Sequence, residues 1–127
     1  MFIRGNWCPL CMAQVNEVAA QYRDLEARGA EVFLISPQPE RQTQKLSKRF
    51  NAPMRFCVDK DNRIAKRLGI EHISGVPFGI PGGYDANSVL PTVVITDQNR
   101  KIIFADMTDN YRIRPEVSSF LEALDGP

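Results

Sequence analysis

The chain has 127 residues, 43% hydrophobic and 24% charged, with 16 basic and 15 acidic side chains and a formal net charge of +1. That length suits one domain around one core, so residues 1–127 are expected to fold as a unit. The charges are balanced and scattered, and no apolar run approaches the roughly 20 residues of a membrane-spanning helix, so neither nucleic acid nor a membrane is expected as a partner.

Three cysteines are too few, and odd in number, for a secreted disulfide scaffold. No charged segment followed by an apolar run opens the chain, so no signal peptide is expected, and a reduced, cytoplasmic setting fits the cysteine usage. No motif calls for a cofactor.

Met1-Phe2-Ile3 reads as the end of a buried strand running straight into Arg4-Gly5. It is shorter than the typical strand of about five or six residues, so the chain reads as one that starts inside its own fold. Trp7-Cys8-Pro9-Leu10-Cys11 follows. Proline suits the first position of a helix, because it has no N–H to lose there and its φ is already set. Cys8 then caps that helix at the positive end of its dipole, where converging N–H groups stabilise a thiolate. Cys11, three residues on, shares its face and lies within disulfide reach. The pattern makes Cys8 a nucleophile and Cys11 the thiol that resolves it.

Val15, Val18, Ala19, Tyr22 and Leu25 continue one apolar helical stripe, which Gly29 ends. Residues 31–35 form a short apolar run typical of a buried parallel strand, broken by Ser36-Pro37-Gln38-Pro39. A polar helix is expected over 40–50 with Leu46 and Phe50 inward, then a strand over 54–58. Asp61 is placed to cap a brief helix through Ile64, Ala65 and Leu68, closed by Gly69. Asp59, Lys60, Asp61 and Arg63 read as a solvated turn. Residues 70–90 are rich in glycine and proline, and a loop of that length tends to be functional. A hairpin follows: strand 92–95, turn Asp97-Gln98-Asn99-Arg100, strand 101–105. Pro115 and Glu116 open a last helix with Val117, Phe120, Leu121 and Leu124 on one face. Strands alternating with helices predict an α/β domain with parallel crossovers and an antiparallel edge.

Arg4-Gly5-Asn6-Trp7-Cys8-Pro9-Leu10-Cys11 on a strand-to-helix turn resembles the thioredoxin-like superfamily, and within it the peroxiredoxin-like branch of the alkyl hydroperoxide reductase/thiol-specific antioxidant family. Leu90-Pro91-Thr92 before a strand resembles the superfamily's cis-proline. The turn at Asp97, Asp109-Asn110-Tyr111-Arg112 and Arg114-Pro115-Glu116 fit the same branch. The resemblance implies a thioredoxin-like fold, with a central mixed sheet flanked by helices. The family's N-terminal strands and helix have no counterpart, so the chain reads as a member missing that part.

The resemblance further implies a thiol-dependent antioxidant oxidoreductase that takes a peroxide or a disulfide as substrate. An external dithiol of thioredoxin or glutaredoxin type would reset it, and a homodimer is admitted. Trp7 would shield the site, a cis Pro91 would let the backbone beside it, at Thr92, pair with an extended substrate strand, and Arg4 would add positive charge near Cys8. Two departures bear on peroxide reduction. Gly5 stands where typical peroxiredoxins carry a threonine, and no arginine beside Pro91 replaces their peroxide-holding one.

Alternatives stay open. Loss of peroxidase activity would leave a protein disulfide reductase, and the CxxC also suits half of a zinc site completed by Cys57 and His72, or a redox-silent interaction module. Cys57, among Met54, Phe56 and Val58, reads as a small buried hydrophobe, and His72 as a loop-packing residue.

Overall fold

The computed structural model describes residues 1–50, 52–77, 87–110 and 112–126. The elements are α1 (Pro9–Ala20), α2 (Tyr22–Ala27), β1 (Phe33–Ser36), α3 (Glu40–Arg49), β2 (Arg55–Val58), a 3₁₀ turn (Lys60–Asn62), α4 (Arg63–Leu68), β3 (Glu71–His72), β4 (Ser88–Val89), β5 (Thr92–Thr96), β6 (Ile102–Met107) and α5 (Val117–Asp125).

Residues 1–3 stitch the sheet together. Phe2 bridges Ile35 in parallel and Thr92 antiparallel, with hydrogen bonds from Phe2 N–H to Thr92 O at 2.8 Å, Ile3 N–H to Ile35 O at 2.9 Å and Ile35 N–H to Met1 O at 2.8 Å. On one side β1 pairs in parallel with β2, and on the other β5 pairs antiparallel with β6. The order is therefore β2–β1–(residues 1–3)–β5–β6, the mixed sheet expected from alternating strands and helices closed by a hairpin.

Strand side chains alternate between faces, and the packing follows that period. Ile3 and Leu34 join a core with Val15 and Val18 of α1, Leu46 of α3 and Phe120 of α5. Phe2 and Ile35 turn the other way, against Ala65 of α4, Ile70 and Val89. Helices thus cover both faces. The α5 side is fixed by an edge-to-face contact of Phe104 and Phe120, with ring centroids 5.5 Å apart.

Several expectations shift locally. The first helix is two: it breaks at Gln21 (φ −104°, ψ 16°), and a short α2 carries Leu25. Asp61 does not cap α4, because it sits at φ +57° inside the 3₁₀ turn. Asp59 does, its carboxylate accepting from Ile64 N–H at 2.9 Å and Ala65 N–H at 3.0 Å. Asp59 is accordingly buried, not a member of a solvated turn. Pro115 precedes α5 instead of lying in its first turn, and Glu116 is the capping position. The ends of the Gly/Pro segment form a two-residue antiparallel pair, β3 with β4; residues 78–86 of that segment lie outside the described ones.

Candidate active site

Cys8 is the N-cap of α1 with Pro9 at the first helical position, as the sequence pattern requires. Its Sγ accepts the Cys11 N–H at 3.3 Å, so one of the orphan donors of the helix start points at sulfur. Both thiols are buried: Cys8 is 2% exposed and Cys11 fully covered. The structure carries them reduced.

The two sulfurs differ sharply in acidity. The Cys8 thiol is lowered from 9.0 to about 6. The largest cause is the hydrogen bond from the Cys11 thiol; the Cys11 N–H and the charges of Arg114 and Arg4 act the same way, against burial. Cys11 moves far in the opposite direction, because it donates to Cys8, is buried, and faces the charge that Cys8 carries. One sulfur is held ionised by the other's proton. That asymmetry sets the two thiols apart.

Arg114 is a residue of the site whose place beside the thiols sequence reasoning missed. It arrives from the segment before α5, 103 positions after Cys11, and its Nη2 donates to Cys11 Sγ at 3.3 Å and to Cys8 Sγ at 3.8 Å. Its Nη1 donates to Gln14 Oε1 of α1 at 2.9 Å. In the sequence it is marked only by the family resemblance of Arg114-Pro115-Glu116, which gives it no chemical role.

Arg4 is buried close behind. Its backbone N–H points at Cys11 Sγ at 3.4 Å, its Nη2 donates to Gly75 O at 2.8 Å, and its guanidinium carbon lies 5.0 Å from the Trp7 ring centroid. It ties the thiol loop to the start of the Gly/Pro segment.

Gly5 is confined by its neighbours. At φ +152°, a Cβ there would lie 2.5 Å from Trp7 Nε1 and 2.9 Å from Gln38 Cδ. The indole occupies the space a side chain at position 5 would need. Gln38, 1% exposed, clamps the loop by accepting Asn6 N–H at 2.6 Å and donating to Asn6 Oδ1 at 2.9 Å. Trp7 and Pro9 line a cleft of about 540 Å³ with Asn6, Met12, Ala13, Asn16 and Arg49.

The expected cis bond is absent: the Leu90–Pro91 peptide is trans. The backbone around it is already engaged. Leu90 N–H donates to Ile70 O at 2.8 Å, Pro91 O accepts Thr108 N–H at 3.2 Å, and Thr92 O accepts Phe2 N–H at 2.8 Å. Leu90 O takes the Thr92 hydroxyl at 2.9 Å. Pro91 and Thr92 thus close the sheet, and these groups are not open to a substrate strand.

Cys57 lies half-exposed on β2, less covered than a core thiol, and His72 lies on β3 beside Gly75. Neither joins the CxxC: among the described residues no group of three or more His, Cys, Asp or Glu side chains gathers that could hold a metal ion.

Residues 1–105 match the model of the AhpC/TSA family. No curated protein matches the chain. Among solved structures, reduced Prx3 from Vibrio vulnificus is similar with a TM-score of 0.78 at 19% identity, over 98% of this chain and 77% of that one. Peroxidoxin BcpB from Mycobacterium tuberculosis gives 0.73 at 19%, over 98% and 75%. Peroxiredoxin 6 of Arenicola marina gives 0.75 at 13%, over 98% of this chain and 57% of its own. These likenesses carry the thioredoxin-like fold, and the match over 105 positions carries the family. The chain belongs to the AhpC/TSA family, as a thiol-dependent antioxidant oxidoreductase.

Proposed function

We propose that this protein reduces hydroperoxides with Cys8 as the peroxidatic nucleophile and Cys11 as the resolving thiol. The carrying observation is the convergence on one sulfur of a helix-start N–H, a neighbouring thiol and the Arg114 guanidinium. At pH 7 a thiol of pKa about 6 is roughly nine-tenths ionised, against about 3% for an unperturbed cysteine near 8.5.

The Cys8 thiolate attacks the terminal peroxide oxygen, the O–O bond breaks, and the alkoxide or hydroxide leaves with a proton. Cys8 becomes a sulfenic acid, which Cys11 condenses into a Cys8–Cys11 disulfide. An external dithiol of thioredoxin type resets the pair by exchange. Peroxide is favoured over a protein disulfide as oxidant for two reasons. Cys8 is 2% exposed, which admits a two-oxygen substrate more readily than a protein sulfur in line for attack. The backbone around Pro91 that would pair with an extended substrate is also committed to the sheet.

The test follows the reduced protein by mass spectrometry after mixing with hydrogen peroxide or with a model protein disulfide. Rapid Cys8–Cys11 closure with peroxide supports the reading. Slow reaction with peroxide and fast exchange with the disulfide would make the protein a disulfide reductase instead. Cys8→Ser abolishes turnover; Cys11→Ser keeps a single oxidation and traps Cys8 as the sulfenic acid.

A further inference from the structure

Gln14 sits on α1 three residues after Cys11, one helical turn along the same face. It is 6% exposed. Its Oε1 accepts Arg114 Nη1 at 2.9 Å, while Nη2 of the same guanidinium meets Cys11 Sγ at 3.3 Å and Cys8 Sγ at 3.8 Å. A guanidinium is a rigid plane with its donors in a fixed fork, so anchoring one nitrogen sets where the other points. Because arginine only donates, the amide oxygen must face it, and Gln14 Nε2 is left buried with no hydrogen-bond partner among the described residues. An unpaired buried amide is unfavourable. A leucine or methionine of similar size would fill the space without that cost. What the amide alone contributes is the acceptor for Arg114.

We propose that Gln14 is a positioning residue for the resolving half of the cycle: it holds Arg114 so that the guanidinium attends Cys11 more closely than Cys8. This rests on the reading in which peroxide oxidises Cys8 and Cys11 resolves it. In resolution Cys11 loses its proton and its sulfur attacks the sulfenic sulfur of Cys8. The S–S bond forms as the S–O bond breaks, and the departing hydroxide takes a proton and leaves as water. The Cys11 sulfur is oxidised and the Cys8 sulfur reduced by the same amount, so no outside reductant enters. The difficult species is the Cys11 thiolate, buried and beside another sulfur. A cationic N–H at 3.3 Å is the group that favours it.

Rapid mixing with hydrogen peroxide and acid quench, read by mass spectrometry, separates sulfenic acid formation from disulfide closure. Wild type, Gln14→Met, Gln14→Leu, Arg114→Met and the double variant Gln14→Met/Arg114→Met are compared across pH, with folding checked by near-ultraviolet dichroism. Gln14→Met is close to isosteric and guards against a packing failure in Gln14→Leu. Both Gln14 variants are expected to slow closure roughly ten-fold, the size of one lost charge-assisted hydrogen bond, and to move its pH midpoint upward, because closure then waits on a less acidic Cys11. Sulfenic acid formation changes by a smaller factor. In the Arg114→Met background the Gln14 substitution adds nothing. Closure with wild-type rate and pH midpoint in both variants would overturn the proposal, as would a slowing that persists undiminished without Arg114. A wild type that forms no sulfenic acid at Cys8 overturns the peroxidase reading and this proposal with it. A wild type that cycles while the Gln14 variants match it overturns this proposal alone.

Discussion

Gly5→Thr installs the residue that typical peroxiredoxins carry three positions before the reactive cysteine, and here it should damage the site. A Cβ at position 5 would lie 2.5 Å from Trp7 Nε1, 2.8 Å from Trp7 Cδ1 and 2.9 Å from Gln38 Cδ, all closer than real Cβ contacts. The backbone at φ +152° adds strain for any side chain, and more for a β-branched one. Trp7 is half-buried and can swing outward, so part of the overlap relaxes. Gln38 is 1% exposed and holds Asn6 by two hydrogen bonds, so it cannot move without releasing the loop. Strain and overpacking of about 1–3 kcal/mol each, partly relieved, give an expected loss of about 2–4 kcal/mol. Urea denaturation read at two probes measures it as a lower midpoint with an unchanged slope. The same variant should oxidise at Cys8 more slowly than wild type. Stability within about 0.5 kcal/mol of wild type, together with faster oxidation, would refute the claim that Trp7 and Gln38 exclude a side chain at position 5.

The causes of the Cys8 shift predict an order: alkylation-rate profiles against pH should move upward most for Cys11→Ala, less for Arg114→Met and least for Arg4→Met, and any other ranking contradicts the assignment. Because the folded-state thiol is the more acidic, Cys8 ionisation favours the native state fully above the unfolded value of about 8.5 and loses that contribution as pH falls through about 6. Gln38→Leu removes the two hydrogen bonds that Gln38 makes to Asn6 and should cost about 1–3 kcal/mol, while leaving α5 protected in hydrogen exchange; equal loosening of α5 would mean that Gln38 supports the core as a whole.

Local chemistry was legible in the sequence and long-range chemistry was not. Proline directly after a cysteine at a helix start left one arrangement for Cys8 and Cys11, and the apolar periods of α3 and α5 placed Leu46, Phe50, Val117 and Phe120 inward, as found. The division at Gln21 escaped notice because the apolar stripe runs on through Tyr22 and Leu25 with no glycine or proline to mark it. Asp61 has the spacing of an N-cap and Asp59 does not; the left-handed backbone at Asp61 and Asn62, which brings Asp59 over the helix start, has no sequence signal. Pro91 was read as cis by resemblance, whereas the hydrogen bonds of Leu90, Pro91 and Thr92 are satisfied with a trans bond. Arg114 reaches the thiols only because α5 docks on the α1 side of the sheet, through Phe120 and the approach of Val117 N–H to Glu17 Oε1 at 3.4 Å. No periodicity or spacing links position 114 to position 8. Gln14 was hidden for the same reason, a polar residue within an otherwise apolar helix face.

The account stands on Cys8 being an acidic thiol in a reduced, folded chain. Its titration, followed as the pH dependence of iodoacetamide modification resolved to the Cys8 peptide, tests this most directly. A midpoint near 6, with Cys11 unreactive across the range, is the predicted result. A Cys8 midpoint near the ordinary value of about 8.5, or Cys11 reacting first, would contradict it.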